Sequence, residues 1–203
     1  MDYFQILHRD FAKESDRAAV ILAASAVEEL LRTILIARLV AVTSSSDELF
    51  DSATAPLGTL SSRIEMAYRL GVISVKFARD LHLLRKIRND FAHNINGCSF
   101  DDARVKSRIL ELTSSHGIIS RSRHVFPKDP PPREAFLQTA SWMVFHLTAE
   151  AKGTVSLSPA PEEWGYSYVY PKDDRSNVAL VGSSGNVAAQ QAVAADDPAA
   201  GTP

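Results

Sequence analysis

Apolar residues recur at helical spacing along most of this chain, and the recurrence stops near residue 153. A period of 3.6 residues gathers Leu57, Leu60, Ile64 and Ala67 on one face, and Phe77, Leu81, Leu84 and Phe91 on another. Val105, Ile109 and Leu112 make a third, and Phe136, Ala140, Met143, Val144 and Leu147 a fourth. With a short helix over residues 3–13 and a long apolar one running to about Val42, the pattern predicts an all-α bundle of about six helices, with no strand before residue 153. Ser15 is placed to cap the long second helix, Pro56 to open the third, Ser74 to cap the fourth and Ser99 to Asp102 to start the fifth. Gly71 closes the third helix, and Asn94-Ile95-Asn96-Gly97 supplies residues that tolerate a left-handed stop after the fourth. Stretches 43–55 and 114–132 read as loops.

From residue 153 onward Pro, Ser and Gly recur, and small residues follow. Residues 1–152 are therefore the expected helical domain, and 153–203 the expected low-complexity, largely disordered tail. Trp164, Tyr166, Tyr168 and Tyr170 stand apart, because four aromatics are costly to leave in water and suit a short extended segment that docks on the bundle or on a partner.

Two polar features cut across the apolar pattern. Ser25, Glu28, Glu29 and Arg32, spaced i, i+3, i+4, i+7, form one polar stripe on the long second helix. Such a stripe ordinarily faces solvent, but on a central helix it lines a polar cleft. Arg88 falls in the middle of the face made by Phe77, Leu81, Leu84 and Phe91. A guanidinium buried without a partner costs several kcal/mol, so Arg88 is either paired with Glu28, Glu29 or Glu65 or is part of a site. Five residues further on, His93 is rotated by about 500°, which leaves it about 140° from Arg88 unless the helix ends between them. Asn89 and His93, at i and i+4, share a face.

Composition narrows the function classes. With 203 residues and 45% hydrophobic content, the chain has material for one domain and an appendage, and its net charge of -2 gives no global attraction to nucleic acid. Cys98 is the single cysteine, which excludes an intramolecular disulfide and a thiolate metal site. The histidines, His8, His82, His93, His116, His124 and His146, are scattered without ligand spacing, and the chain has no glycine-rich phosphate loop, so neither metal nor cofactor is expected. Glu28 and Glu29 are adjacent and about 100° apart on a helix, unlike the facing carboxylates of a glycosidase. The most apolar segment, Ala18 to Val42, is broken by charges, and the N-terminus has no basic leader, so the expectation is a cytoplasmic protein without a membrane span.

Several blocks in order carry a family resemblance: Glu14-Ser15-Asp16-Arg17-Ala18-Ala19, Glu28-Glu29-Leu30-Leu31, Ala55-Pro56-Leu57-Gly58-Thr59-Leu60, Arg63-Ile64, Arg85 to His93, and Ser99-Phe100-Asp101-Asp102. Together they resemble the MltR family of mannitol operon repressors, over about residues 10–150. The resemblance implies an all-helical protein that represses genes for mannitol uptake and use. The polar residues of these blocks, Asp16, Arg17, Glu28, Glu29, Arg63 and Arg85, together with Glu65, make up a candidate polar cluster or partner pocket. Arg88-Asn89-x-x-x-His93 is also similar to the signature of the HEPN superfamily, many of whose members are metal-independent ribonucleases acting as dimers. That likeness implies an endoribonuclease in which His93 is the acid/base, Arg88 stabilises the phosphorane charge and Asn89 orients the site.

A helix-turn-helix reading of Tyr68 to Ile87 fails on chemistry. Phe77, Leu81 and Leu84 are committed to a core, leaving only Lys76, Arg79 and Arg85 for phosphates. The basic stretch Arg121, Arg123, His124, Lys128 offers a second set of phosphate contacts, although such a loop is ordinarily just solvated. The expected protein is thus a homodimeric regulator that works through a protein or RNA partner rather than by direct sequence-specific DNA binding. The alternatives are the ribonuclease and a helical interaction module without chemistry, in which Arg88 only holds helices together.

Overall fold

Side chains cap the starts of three helices and account for where those helices begin. The computed structural model describes residues 3–52, 54–94, 97–116, 130–160, 166–169 and 179–182. Among them six helices follow in order: α1 (Tyr3–Ala12), α2 (Asp16–Arg38), α3 (Leu60–Arg69), α4 (Val75–His93), α5 (Ala103–His116) and α6 (Pro132–Gly153). Ser15 Oγ accepts from the Ala18 N–H at 3.3 Å, and Ser74 Oγ accepts from the Phe77 N–H at 3.1 Å. Thr59 and Ser62 cap α3 reciprocally, each side chain taking the other's backbone N–H. The all-α bundle expected from the periodicity is the one observed.

Three helix boundaries differ from expectation, the simplest being α5, which runs on to His116 inside the stretch read as a loop from residue 114. Pro56 does not open α3; it lies in a turn held by the Leu57 N–H on the Leu49 carbonyl (2.9 Å) and the Gly58 N–H on the Ala55 carbonyl (3.0 Å). Thr59 wins the start because its hydroxyl can satisfy a free N–H, which proline cannot. α2 stops at Arg38, short of Val42, because a tertiary partner takes up its last carbonyls. The Leu157 N–H donates to the Arg38 carbonyl at 2.8 Å, and Ser156 Oγ donates to the Leu39 carbonyl at 3.0 Å. In return Arg38 Nη1 donates to the Val155 carbonyl at 2.8 Å.

α2 packs against α1, α3, α4 and α6, while α6 also meets α1 and α5. These two helices share the centre of the bundle. Residues 135–141 of α6 are all buried, Gln138, Thr139 and Ser141 among them. Phe91, Phe100 and Phe136 stack in a chain with centroids 5.1 and 5.2 Å apart, fixing the end of α4 and the approach to α5 onto α6. Gly97, at φ +100°, turns the chain between them, and Gly71, at φ +69°, ends α3. In α4 the apolar repeat admits either residue 87 or residue 88 between Leu84 and Phe91. Ile87 takes the core position at 0% exposure, and Arg88 lies half-buried at its edge.

Residues 159–203 form a second compact unit, separate from 1–158. In it Tyr166–Val169 (β1) pairs antiparallel with Ala179–Gly182 (β2), in a register that sets Tyr166 opposite Gly182 and Val169 opposite Ala179. Tyr166 and Tyr168 thus lie on extended backbone. The pairing itself was not foreseen, because four-residue strands are too short to register as a period. Trp164, Tyr170 and the basic stretch Arg121 to Lys128 lie outside the described residues.

Candidate functional site

Two clefts border α4, and the residues singled out in the sequence divide between them. The first, about 320 Å³, is lined by Glu28 of α2, Gly58 to Ser61 at the start of α3, and Arg85, Arg88 and Asn89 of α4. Arg85 and Arg88 are at i and i+3, which places both guanidinium groups on one helix face. Arg88 Nη1 donates to Asn89 Oδ1 at 3.2 Å. Arg85 Nε is buried and has no hydrogen-bond acceptor among the described residues. The ion pair expected for Arg88 with Glu28, Glu29 or Glu65 is absent among the described residues, because Glu28 is turned toward Arg63 instead.

Arg63 is the buried guanidinium of this fold. It is 7% exposed, its Nε donates to the Leu57 carbonyl at 2.8 Å, and its Nη1 donates to the Glu28 carbonyl at 3.1 Å. The same Nη1 lies 3.8 Å from Glu28 Oε1. Phe50 is buried between Arg63 and Arg32, whose guanidinium carbons stand 5.9 and 5.5 Å from its ring centroid. Arg32 is in turn held by Asp51 at 2.7 Å. The Asp51 carboxyl is held below its ordinary value, first by a backbone hydrogen bond at Asp47 and then by Arg32. One cation therefore ties α2, α3 and the loop between them.

The second cleft, about 500 Å³, is lined by Asn89, Asp90, His93 and Asn94 of α4 and its C-cap, with Cys98, Asp102, Arg104 and Val105 across from them. Asp90 pairs with Arg108, and Arg104 Nε lies 3.8 Å away on its other oxygen. Burial and a hydrogen bond to Asp102 push the Cys98 thiol up to about 11, which leaves it protonated and without nucleophilic character at neutral pH. His93 is exposed. Because α4 stays helical through His93, Arg88 and His93 line different clefts, and Asn89 alone borders both. A catalytic pair does not assemble within one chain.

The other predicted residues serve the bundle. Asp16 accepts from Arg133 Nε at 2.9 Å, and Arg133 Nη2 also reaches the Ala12 and Glu14 carbonyls, fastening the α1–α2 corner to α6. Arg17 Nη2 donates to the Asn94 carbonyl at 2.7 Å, setting a cation at the C-terminus of α4. Glu29 and Glu65 are exposed on the surface, as is Ser25, so of the polar stripe of α2 it is Glu28 that lines the first cleft. Sequence reasoning passed over Arg108 and Arg133. The i, i+4 spacing of Arg104 and Arg108 was the one local signal for the first; Arg133 carried none, since its partners lie more than a hundred residues away.

Phe77, Leu81 and Leu84 are buried, and α4 lies against α2, α3 and α5. Arg79 is paired with Glu111 of α5 and Arg85 lines the first cleft, which leaves Lys76 as the one residue of the proposed reading helix both exposed and uncommitted among those three cations. Among the described residues no helix is long and apolar enough to cross a membrane.

Residues 9–147 match the family described as MtlR, mannitol repressor. A search of curated proteins finds no match to this chain. Among solved structures, the fold is similar to a chain in the X-ray structure of the MtlR-HPr complex from Escherichia coli. The TM-score is 0.53 at 18% identity, covering 72% of this chain and 98% of that one.

Proposed function

The chain belongs to the mannitol repressor family, and from that membership we propose that it regulates a mannitol or sugar-alcohol utilisation operon by binding a protein partner rather than by reading DNA. The observation that carries the second half is the position of α4. The segment with helix-turn-helix spacing has its apolar face in the core and Arg79 paired with Glu111, which leaves it poorly equipped to read a major groove. A regulator without a reading helix must act on something that has one, or on a component of the uptake system. The similar fold crystallised with HPr makes a protein of that kind the partner to test first. Work on an operon sets the cytoplasm as the place of action.

Deleting the gene and measuring transcripts of the neighbouring sugar-alcohol genes tests the regulatory half. The expected result is a rise in those transcripts without mannitol, restored by the wild-type chain; unchanged transcripts would contradict it.

A further inference from the structure

The arginines drawn into the protein are almost all satisfied. Arg32 pairs with Asp51, Arg63 with Glu28, Arg108 with Asp90 and Arg133 with Asp16; Arg38 Nη1 donates to the Val155 carbonyl, although its buried Nε has no hydrogen-bond partner among the described residues. Arg85 and Arg88, both half-buried, have neither a carboxylate nor a backbone carbonyl among the described residues. Two like charges one turn apart repel, and the cleft they line concentrates that repulsion. The start of α3 adds to it. The capping box uses the N–H groups of Thr59 and Ser62, while Leu60 and Ser61, whose N–H groups it does not use, line the same cleft. Every one of these features favours an anion.

Glu28 refines the choice. Its carboxylate borders the cleft and repels a bare dianion, yet it accepts a hydrogen bond from a hydroxyl. Ser61 and Asn89 supply further neutral donors and acceptors around the rim. The volume, about 320 Å³, is that of a small-molecule site. We propose that this cleft binds the phosphate monoester of a small polyol, with Arg85 and Arg88 on the phosphate and Glu28, Ser61 and Asn89 on the hydroxyls. The site makes the regulator responsive to a phosphorylated sugar alcohol. The choice of polyol and the regulatory consequence rest on the family reading; the anion site does not.

Titration calorimetry of the full chain with mannitol 1-phosphate, inorganic phosphate and mannitol tests the site. Mannitol 1-phosphate is expected to bind more tightly than inorganic phosphate, and mannitol alone to give no heat. Arg85→Gln and Arg88→Gln should each weaken the phosphorylated probe by about tenfold or more, the loss of a charge-assisted hydrogen bond. Arg104→Gln, in the other cleft, should leave binding unchanged. Should Arg85→Gln lower the melting temperature, Arg88→Gln at the rim keeps the comparison decisive. Equal binding of inorganic phosphate and mannitol 1-phosphate overturns the polyol assignment, and no binding, or binding indifferent to both substitutions, overturns the site. HPr binding by the same variants separates this proposal from the functional one. HPr binding retained while no phosphorylated probe binds removes the cleft proposal alone; HPr binding lost in Arg88→Gln under the same condition reassigns the cleft to protein docking and also overturns the proposal.

Discussion

Arg63 and Arg88 carry the same charge at different depths, and depth decides what each does. Arg63 sits under Glu28 and the Leu57 carbonyl with 7% exposure, so Arg63→Ala strands two carbonyls and a carboxylate at once. The expected loss is about 2–4 kcal/mol in urea unfolding. Arg88→Ala should stay within about 0.5 kcal/mol, since its hydrogen-bond partner is the adjacent Asn89. Equal losses in the two variants would contradict this assignment. His82 is held below its ordinary value of 6.5 by burial first and by Arg85 and Lys86, against the opposing pull of Glu65. The unfolded chain therefore takes up the proton before the folded one does. The contribution of the neutral imidazole is complete above 6.5 and is lost as pH falls through that value toward the lower folded one. Stability should drop between pH 7.5 and 5.5, and His82→Gln should reduce that slope; an unchanged slope would remove His82 as its source. Cys98, with its thiol near 11, should react with iodoacetamide at pH 8 far more slowly than a free cysteine, and faster labelling would show the burial to be wrong.

At the scale of elements, caps and tertiary ties set the ends while apolar spacing sets the bodies. Thr59→Ala removes one half of the capping box and should cost about 1 kcal/mol, whereas Pro56→Ala, in the turn ahead of it, should cost less. The reverse order in thermal unfolding would restore Pro56 as the start of α3. Helix bodies were legible because Ile64, Leu81, Val105, Ile109, Phe136 and Leu147 are all buried, and burial imposes the 3.6 period on the sequence. The end of α2 was not legible, because Leu157 and Ser156, which take up its carbonyls, stand far along the chain and leave no local mark. Neither was the depth of Arg88, since positions 87 and 88 fit the repeat equally well and burial in the core fell to Ile87. Arg63 was legible as a member of a family block but not as the buried ion, because its partners come from α2 and from the loop before α3.

For the molecule as a whole, the bundle spends its one helix-turn-helix-like segment on its own core and presents clefts along α4 instead. The separation of Arg88 from His93 predicts that a single copy of the chain does not cleave single-stranded RNA in EDTA, and cleavage that is lost in His93→Ala and rises with dimer concentration would place the pair across two copies. The central claim is that regulation passes through a protein partner and not through contact with the operator. Its most direct test is to titrate the full chain into purified HPr by calorimetry and, in parallel, into fluorescent operator DNA by anisotropy at physiological salt. The account predicts saturable binding to HPr and no sequence-specific binding to DNA; tight, sequence-dependent binding to the operator with no binding to HPr would contradict it.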